Sequence, residues 1–170
     1  ILMSEHPISL LISSLFEMID RGAFLYYTCM RYLRTGFIVS EREADKVENH
    51  ITKCGIRGNM WKNPKYWCDE KKVFDSVTGK SLSFSDNGYL EKLREKIMYP
   101  VLKFSEATAG KKTVRQMCEA LFAYFEDIKL YDKISDMIDD FLAEQRENEA
   151  KRFEQVWNFL VEITEQAVVA

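Results

Sequence analysis

Glycine and proline are both scarce in this sequence, seven and three among 170 residues. A turn-rich β fold uses many of each, so their scarcity points to long helices. Histidine is scarcer still, with only His6 and His50. The four cysteines, Cys29, Cys54, Cys68 and Cys118, are scattered. They lack the close pairs of a disulfide framework or a zinc ribbon, and they read as reduced thiols of a cytoplasmic protein. No run approaches the roughly 18 uninterrupted apolar residues of a membrane span. The opening Ile1-Leu2-Met3-Ser4-Glu5 has neither the basic segment nor the cleavage site of a signal peptide. Neither charge dominates. A net charge of −3 excludes a globally basic nucleic-acid binder and leaves room for a local basic patch.

What is present is ordinary globular material, 46% hydrophobic and 30% charged. That is enough for one domain with a real core. The chain starts on Ile1 and stops on Val168-Val169-Ala170, ends that read as cuts in a longer chain. The expectation is a single helical domain, 1–170, internal to a larger protein.

Apolar spacing then sets out the elements. Pro7 suits the first turn of a helix, where its missing N–H costs nothing. Leu11, Leu15, Met18 and Ile19 follow as a stripe, and Gly22 ends it. A second helix runs from about Phe24 to Arg34, with Gly36 suited to the left-handed stop. Ser40 with Glu43 is a capping box, opening a helix that buries Ala44, Val47 and Ile51 and breaks at Cys54-Gly55. From about 55 to 87 periodicity disappears, apart from a short strand pair near Lys72–Val77 and Ser81–Phe84. Helical spacing returns at Tyr89, Leu93, Ile97, Val101 and Phe104, where Pro100 predicts a kink or break. A second capping box, Thr113 with Gln116, starts the next helix. Ile134 to Leu142 mark another, and Phe153 to Thr164 the last. The prediction is all-α: a bundle of six or seven helices with one long irregular loop.

Candidate chemistry is thin. Gly110-Lys111-Lys112-Thr113 looks like the end of a phosphate-binding loop, but Ser105 stands where the first glycine is needed and Thr113 is explained as a helix cap. His50, Cys54 and Cys68 fall short of the four closely paired ligands of structural zinc. No nucleophile motif accompanies His6, and Asp139-Asp140 and Glu147/Glu149 sit on solvated helix faces. The chain therefore reads as having no catalytic residue and no metal site.

One stretch stands out. Between Lys53 and Lys72 lie six cations against Asp69 and Glu70, interleaved with Trp61, Tyr66 and Trp67. Cations attract phosphate, and exposed aromatics stack on unpaired bases at about 1–3 kcal/mol each. The candidate DNA-binding residues are Arg57, Trp61, Lys62, Lys65, Trp67, Lys71 and Lys72. In the alternative, Trp61 and Trp67 pin the loop to the core and the lysines only solubilise it. The opposite pole is Glu119–Glu149, ten acidic residues against Lys129, Lys133 and Arg146. That face repels phosphate and either meets solvent or a partner subunit.

An ordered series of short motifs resembles one family. His6-Pro7-Ile8 is similar to the start of an insertion subdomain in UvrD-like helicases. Met30-Arg31-Tyr32-Leu33-Arg34-Thr35-Gly36 looks like the "rylkTg" helix of AddB/RexB proteins. Val47-Glu48-Asn49-His50-Ile51, Gly55-Ile56-Arg57-Gly58 and Trp61 resemble their "lENyvl…yGIrG…W" signature. Lys112-Thr113-Val114, Glu119 to Tyr124, and Trp157 continue the match, which thins over Lys62–Ser85. The resemblance implies a segment of the B subunit of a bacterial AddAB-type helicase–exonuclease, comparable to a 2B insertion. Its implied role is a non-catalytic scaffold and DNA contact in double-strand break repair and recombination, with duplex or forked DNA and an AddA/RexA-like helicase–nuclease subunit as partners. The alternative is an interaction module that only braces that partner. ATP, magnesium and an iron–sulfur cluster would belong to other parts of the parent chain, with none held here.

Overall fold

Two capping boxes decide where two of the helices begin. The computed structural model describes residues 5–21, 24–67, 70–74, 81–85 and 88–169. Seven α-helices lie among them: α1 (Pro7–Arg21), α2 (Tyr26–Leu33), α3 (Glu41–Cys54), α4 (Tyr89–Thr108), α5 (Val114–Asp127), α6 (Leu130–Ala143) and α7 (Glu147–Val169). At α3 the Ser40 hydroxyl accepts the Glu43 N–H while the Glu43 carboxylate accepts the Ser40 N–H. Thr113 and Gln116 repeat the exchange at α5. Each box satisfies two donors that a bare helix end would leave open. The architecture is all-α, as the apolar spacing predicts.

The long interruption is mostly short structure. Two 3₁₀ turns, Gly58–Lys62 and Pro64–Trp67, follow α3. An antiparallel ribbon of β1 (Glu70–Phe74) and β2 (Ser81–Ser85) comes next, with Lys71 opposite Phe84 and Lys72 opposite Ser83. The expected strand pair is present, its first strand starting two residues earlier than expected. Gly22, Cys68 and Asp69 lie outside the described residues.

Pro100 does not break its helix. α4 runs through it for 20 residues, held by buried Ile97 and Met98 before it and buried Val101 and Phe104 after it. Losing one backbone bond costs less than exposing those four side chains would. Gly36 is left-handed (φ 81°) as expected, but two residues beyond the cap at Arg34. The intervening Thr35 closes the helix by donating its hydroxyl to the Tyr32 carbonyl at 2.8 Å.

The chain divides into two compact units, Ile1–Ile12 with Pro100–Ala170, and Ser13–Tyr99. In the first, α5, α6 and α7 pack on one another. Their connections use few glycines: Lys129 (φ 53°) and Gln145 (φ 60°) supply the left-handed residues. After Gln145 the Arg146 N–H reaches back to the Phe141 carbonyl at 2.7 Å, closing α6. His6 caps α1 in this unit, its Nδ1 accepting the Ile8 N–H at 3.3 Å, and its ring lies 4.5 Å from that of Phe153. In the second unit α2 packs on α3 around a core that includes Leu15, Tyr32, Phe37 and Val47.

Burial lowers the pKa of His6 below its ordinary 6.5, because the charged ring is poorly hydrated there. The unfolded chain therefore binds this proton at a higher pH than the folded one. Stability is fully present above about pH 6.5 and falls as the pH drops towards the depressed folded value. Denaturant melts between pH 7.5 and 5.5 should show a smaller loss for His6→Asn, which keeps a capping acceptor, than for the unsubstituted chain. Parallel curves for the two would contradict this linkage. Burial also pushes the Cys29 thiol up to about 12, whereas Cys54 is exposed. Under native conditions at pH 8, a thiol-specific reagent followed by peptide mass mapping should label Cys54 quickly. Cys29 should react only on unfolding.

Candidate nucleic-acid interface

The candidate interface is built where α3 stops. Gly55 adopts the left-handed conformation (φ 62°), which an L side chain resists. The Ile56 N–H then returns to the Ile51 carbonyl at 2.9 Å, and the Ile56 side chain is buried. This turn sends Arg57 outward in extended conformation and brings Trp61 and Trp67 inward. The two indoles lie 5.0 Å apart between ring centroids, 1% and 0% exposed. Trp67 Nε1–H donates to the Met60 carbonyl at 3.3 Å, which satisfies a donor that burial would otherwise leave unpaired.

His50 ties the same corner from below. Its ring lies 5.5 Å from Trp67, and Nε2–H donates to the Tyr66 carbonyl at 2.9 Å. That fixes the tautomer, so Nδ1 is the acceptor for the Cys54 thiol at 3.8 Å. Both ring nitrogens are thus engaged by protein groups. Two further bonds shape the turns: Asn63 Oδ1 accepts the Lys65 N–H at 3.0 Å, and Arg94 donates to the Lys62 carbonyl at 3.4 Å.

The seven predicted contact residues therefore separate. Arg57, Lys62 and Lys65 are exposed, and none makes an ion pair among the described residues. Lys62 Nζ lies over the ring of Phe24 at 5.3 Å. Lys71 and Lys72 fall on β1, where the backbone register is what is described. Trp61 and Trp67 require a correction. Their rings are sealed inside, so they cannot stack on bases and serve instead to anchor the basic segment. The pinning alternative holds for both tryptophans.

Sequence reasoning missed a second feature beside this corner. Leu25, Tyr26 and Tyr27, at the entry to α2, are 54%, 48% and 86% exposed. The expected helix start at Phe24 hid them, because a helix begun there would count them as core spacing. The only available signal was three large side chains in a row, which one helix face cannot bury together.

No family model matches the chain. Similarity to curated proteins covers nearly all of it. AddB of Clostridium botulinum strain Loch Maree, the B subunit of an ATP-dependent helicase/deoxyribonuclease, is 32% identical over 99% of this chain and 15% of its own length. The protein of the same name from Clostridium kluyveri is 31% identical over 96% of the chain and 14% of its own length. That from Acetivibrio thermocellus is 29% identical over the same shares. The chain matches an internal segment of AddB proteins. It spans about 15% of the length of the relatives it matches and corresponds to one segment of them.

The AddB-like motif residues are largely those that build this corner. His50 and Ile51 close α3, Gly55 and Gly58 (φ 53°) turn the chain, and Trp61 fills the space beneath. The other unit carries a groove of about 700 Å³, lined by Met137, Phe141, Phe153, Val156 and Phe159, with Arg146 and Arg152 among its polar groups. Arg146 is held by Glu144 at 3.1 Å and Glu149 at 3.6 Å. Among the described residues no group of three metal-ligating side chains occurs, and no helix is long and apolar enough to cross a membrane.

If the indoles anchor the basic segment, Trp67→Ala should cost about 3–5 kcal/mol of stability, the range for truncating a buried large aromatic. Urea unfolding followed by circular dichroism measures it. A loss below about 1 kcal/mol would contradict the anchoring role.

Proposed function

We propose that this segment is a non-catalytic helical subdomain of an AddB-like subunit, comparable to the 2B-type insertion of UvrD-like helicases, and that it contacts duplex or forked DNA. In this reading the parent subunit acts in the cytoplasm in double-strand break repair and recombination, paired with an AddA/RexA-like helicase–nuclease. ATP hydrolysis, phosphodiester cleavage and any iron–sulfur cluster belong to other parts of that complex. The observation that carries the DNA contact is the presentation of Arg57, Lys62 and Lys65 as exposed cations on a segment whose backbone is anchored by buried Trp61 and Trp67. Anchoring matters because a cation held in place loses little further freedom on meeting a phosphate. The net charge of −3 means that the chain as a whole mildly repels phosphate, which favours an approach with this basic corner leading.

A second reading has its own support. The apolar groove of the other unit leaves Phe159 47% exposed beside half-buried Met137, Phe141 and Val156. That is the kind of surface that protein partners cover, so the segment would brace the partner subunit without touching DNA.

Fluorescence anisotropy with labelled forked DNA separates the two. The 170-residue chain should bind more weakly as salt rises. Lys62→Ala combined with Lys65→Ala should lower the log–log salt slope by about two, one for each phosphate contact removed. Unchanged affinity and slope in that variant would remove this corner as the contact. No binding even at low salt would favour the bracing role.

A further inference from the structure

We propose that Tyr26 and Tyr27 form a stacking platform for the unpaired bases of single-stranded nucleic acid, with Lys62 beside them to meet the phosphates. This rests on the DNA-contacting reading and adds to it the form of nucleic acid that the corner recognises.

Three observations support the platform. The first is exposure. Tyr27 is 86% exposed, the highest value among the large hydrophobic side chains left in water, and it follows two more at Leu25 and Tyr26. Single exposed apolar residues are unremarkable, but three in succession at one helix entry make a patch. The second is order. Tyr26 and Tyr27 stand edge to face, with centroids 6.2 Å apart and planes at 88°. The Tyr26 hydroxyl donates to the Glu48 carboxylate, which also pairs with Arg34. Tyr26 is therefore held through its hydroxyl, and its ring is in edge contact with that of Tyr27. A platform already ordered loses little entropy when a base arrives.

The third observation is charge. Lys62 Nζ sits over Phe24, the residue immediately before this patch. Asp45 and Glu48 both pair with Arg34, Asp45 at 2.8 Å, which offsets one of their two negative charges. The Leu25 side chain makes no capping bond, so the first N–H groups of α2 keep their positive ends towards an incoming anion. Exposed ring plus cation is the combination that single-strand binding uses. Bases within a duplex offer no free faces to such a ring, so the platform distinguishes unpaired from paired strands.

The test compares labelled oligothymidine, which has little structure of its own, with a blunt duplex of equal length. Anisotropy titrations of the 170-residue chain should show Tyr27→Ala weakening oligothymidine binding about tenfold or more, from the energy of one stacked base. Duplex binding should be unchanged, and Tyr27→Phe, which keeps the ring, should retain the single-strand affinity. Tyr27 is exposed, so these variants are expected to fold, which circular dichroism checks. Oligothymidine binding unaffected by Tyr27→Ala, or an equal loss on both DNAs, would overturn the platform. If Lys62→Ala with Lys65→Ala still lowers duplex affinity in that case, the DNA-contacting reading survives without it. An unsubstituted chain that binds duplex but ignores oligothymidine overturns the platform and leaves the tyrosines to a protein partner. Binding to neither DNA overturns both.

Discussion

The pair of indoles behind the end of α3 sets the form of everything around it. Trp61 and Trp67 are too large to bury without a matching cavity and too polar at nitrogen to bury without an acceptor. The Met60 carbonyl supplies the acceptor for Trp67, and His50 closes the remaining side by binding the Tyr66 carbonyl. With both rings inside, the residues between and before them have one choice left. Asn63, Pro64 and the cations Arg57, Lys62 and Lys65 must face water. A stretch without any helical period is thereby ordered by three side chains and a left-handed glycine.

That arrangement explains how an acidic protein can still offer a basic surface. The cations are few, and their effect comes from where the anchor holds them. Beside them the α2 entry leaves Tyr26 and Tyr27 in solvent, with Tyr26 tied down through Glu48 and Arg34. Exposed aromatic rings are therefore present near the positive charge, Tyr66 from within the run and Tyr26 and Tyr27 from another part of the chain. The tryptophans within the basic run are committed to packing.

The unit containing α5, α6 and α7 follows a different logic. Its helices start and stop at caps and left-handed turns, and its apolar faces are only partly covered by one another. His6 contributes a ring to this unit that caps α1 with one nitrogen, and burial there disfavours its charged form.

Much of the fold was legible in the residues because it depends on local chemistry. Ser40 with Glu43 and Thr113 with Gln116 mark helix starts through bonds spanning three residues, and Gly55 marks a stop through its own backbone freedom. The ordered motifs from Met30 to Trp157 likewise sufficed to place the chain with AddB. Pro100 does not end its helix, since its cost is local but the burial that outweighs a break is not. The candidate interface was legible as a cluster of charge and aromatic rings, and illegible in its division of labour. Nothing within Lys53–Lys72 says which rings are covered. Burial is decided by what the rest of the chain brings alongside, here His50 four residues before the helix end and the partner indole. The sequence by itself determined the helices, their caps and the family. Only tertiary packing decided that Trp61 and Trp67 turn inward while Tyr27 stays out, because exposure is a property of neighbours that the chain order does not contain.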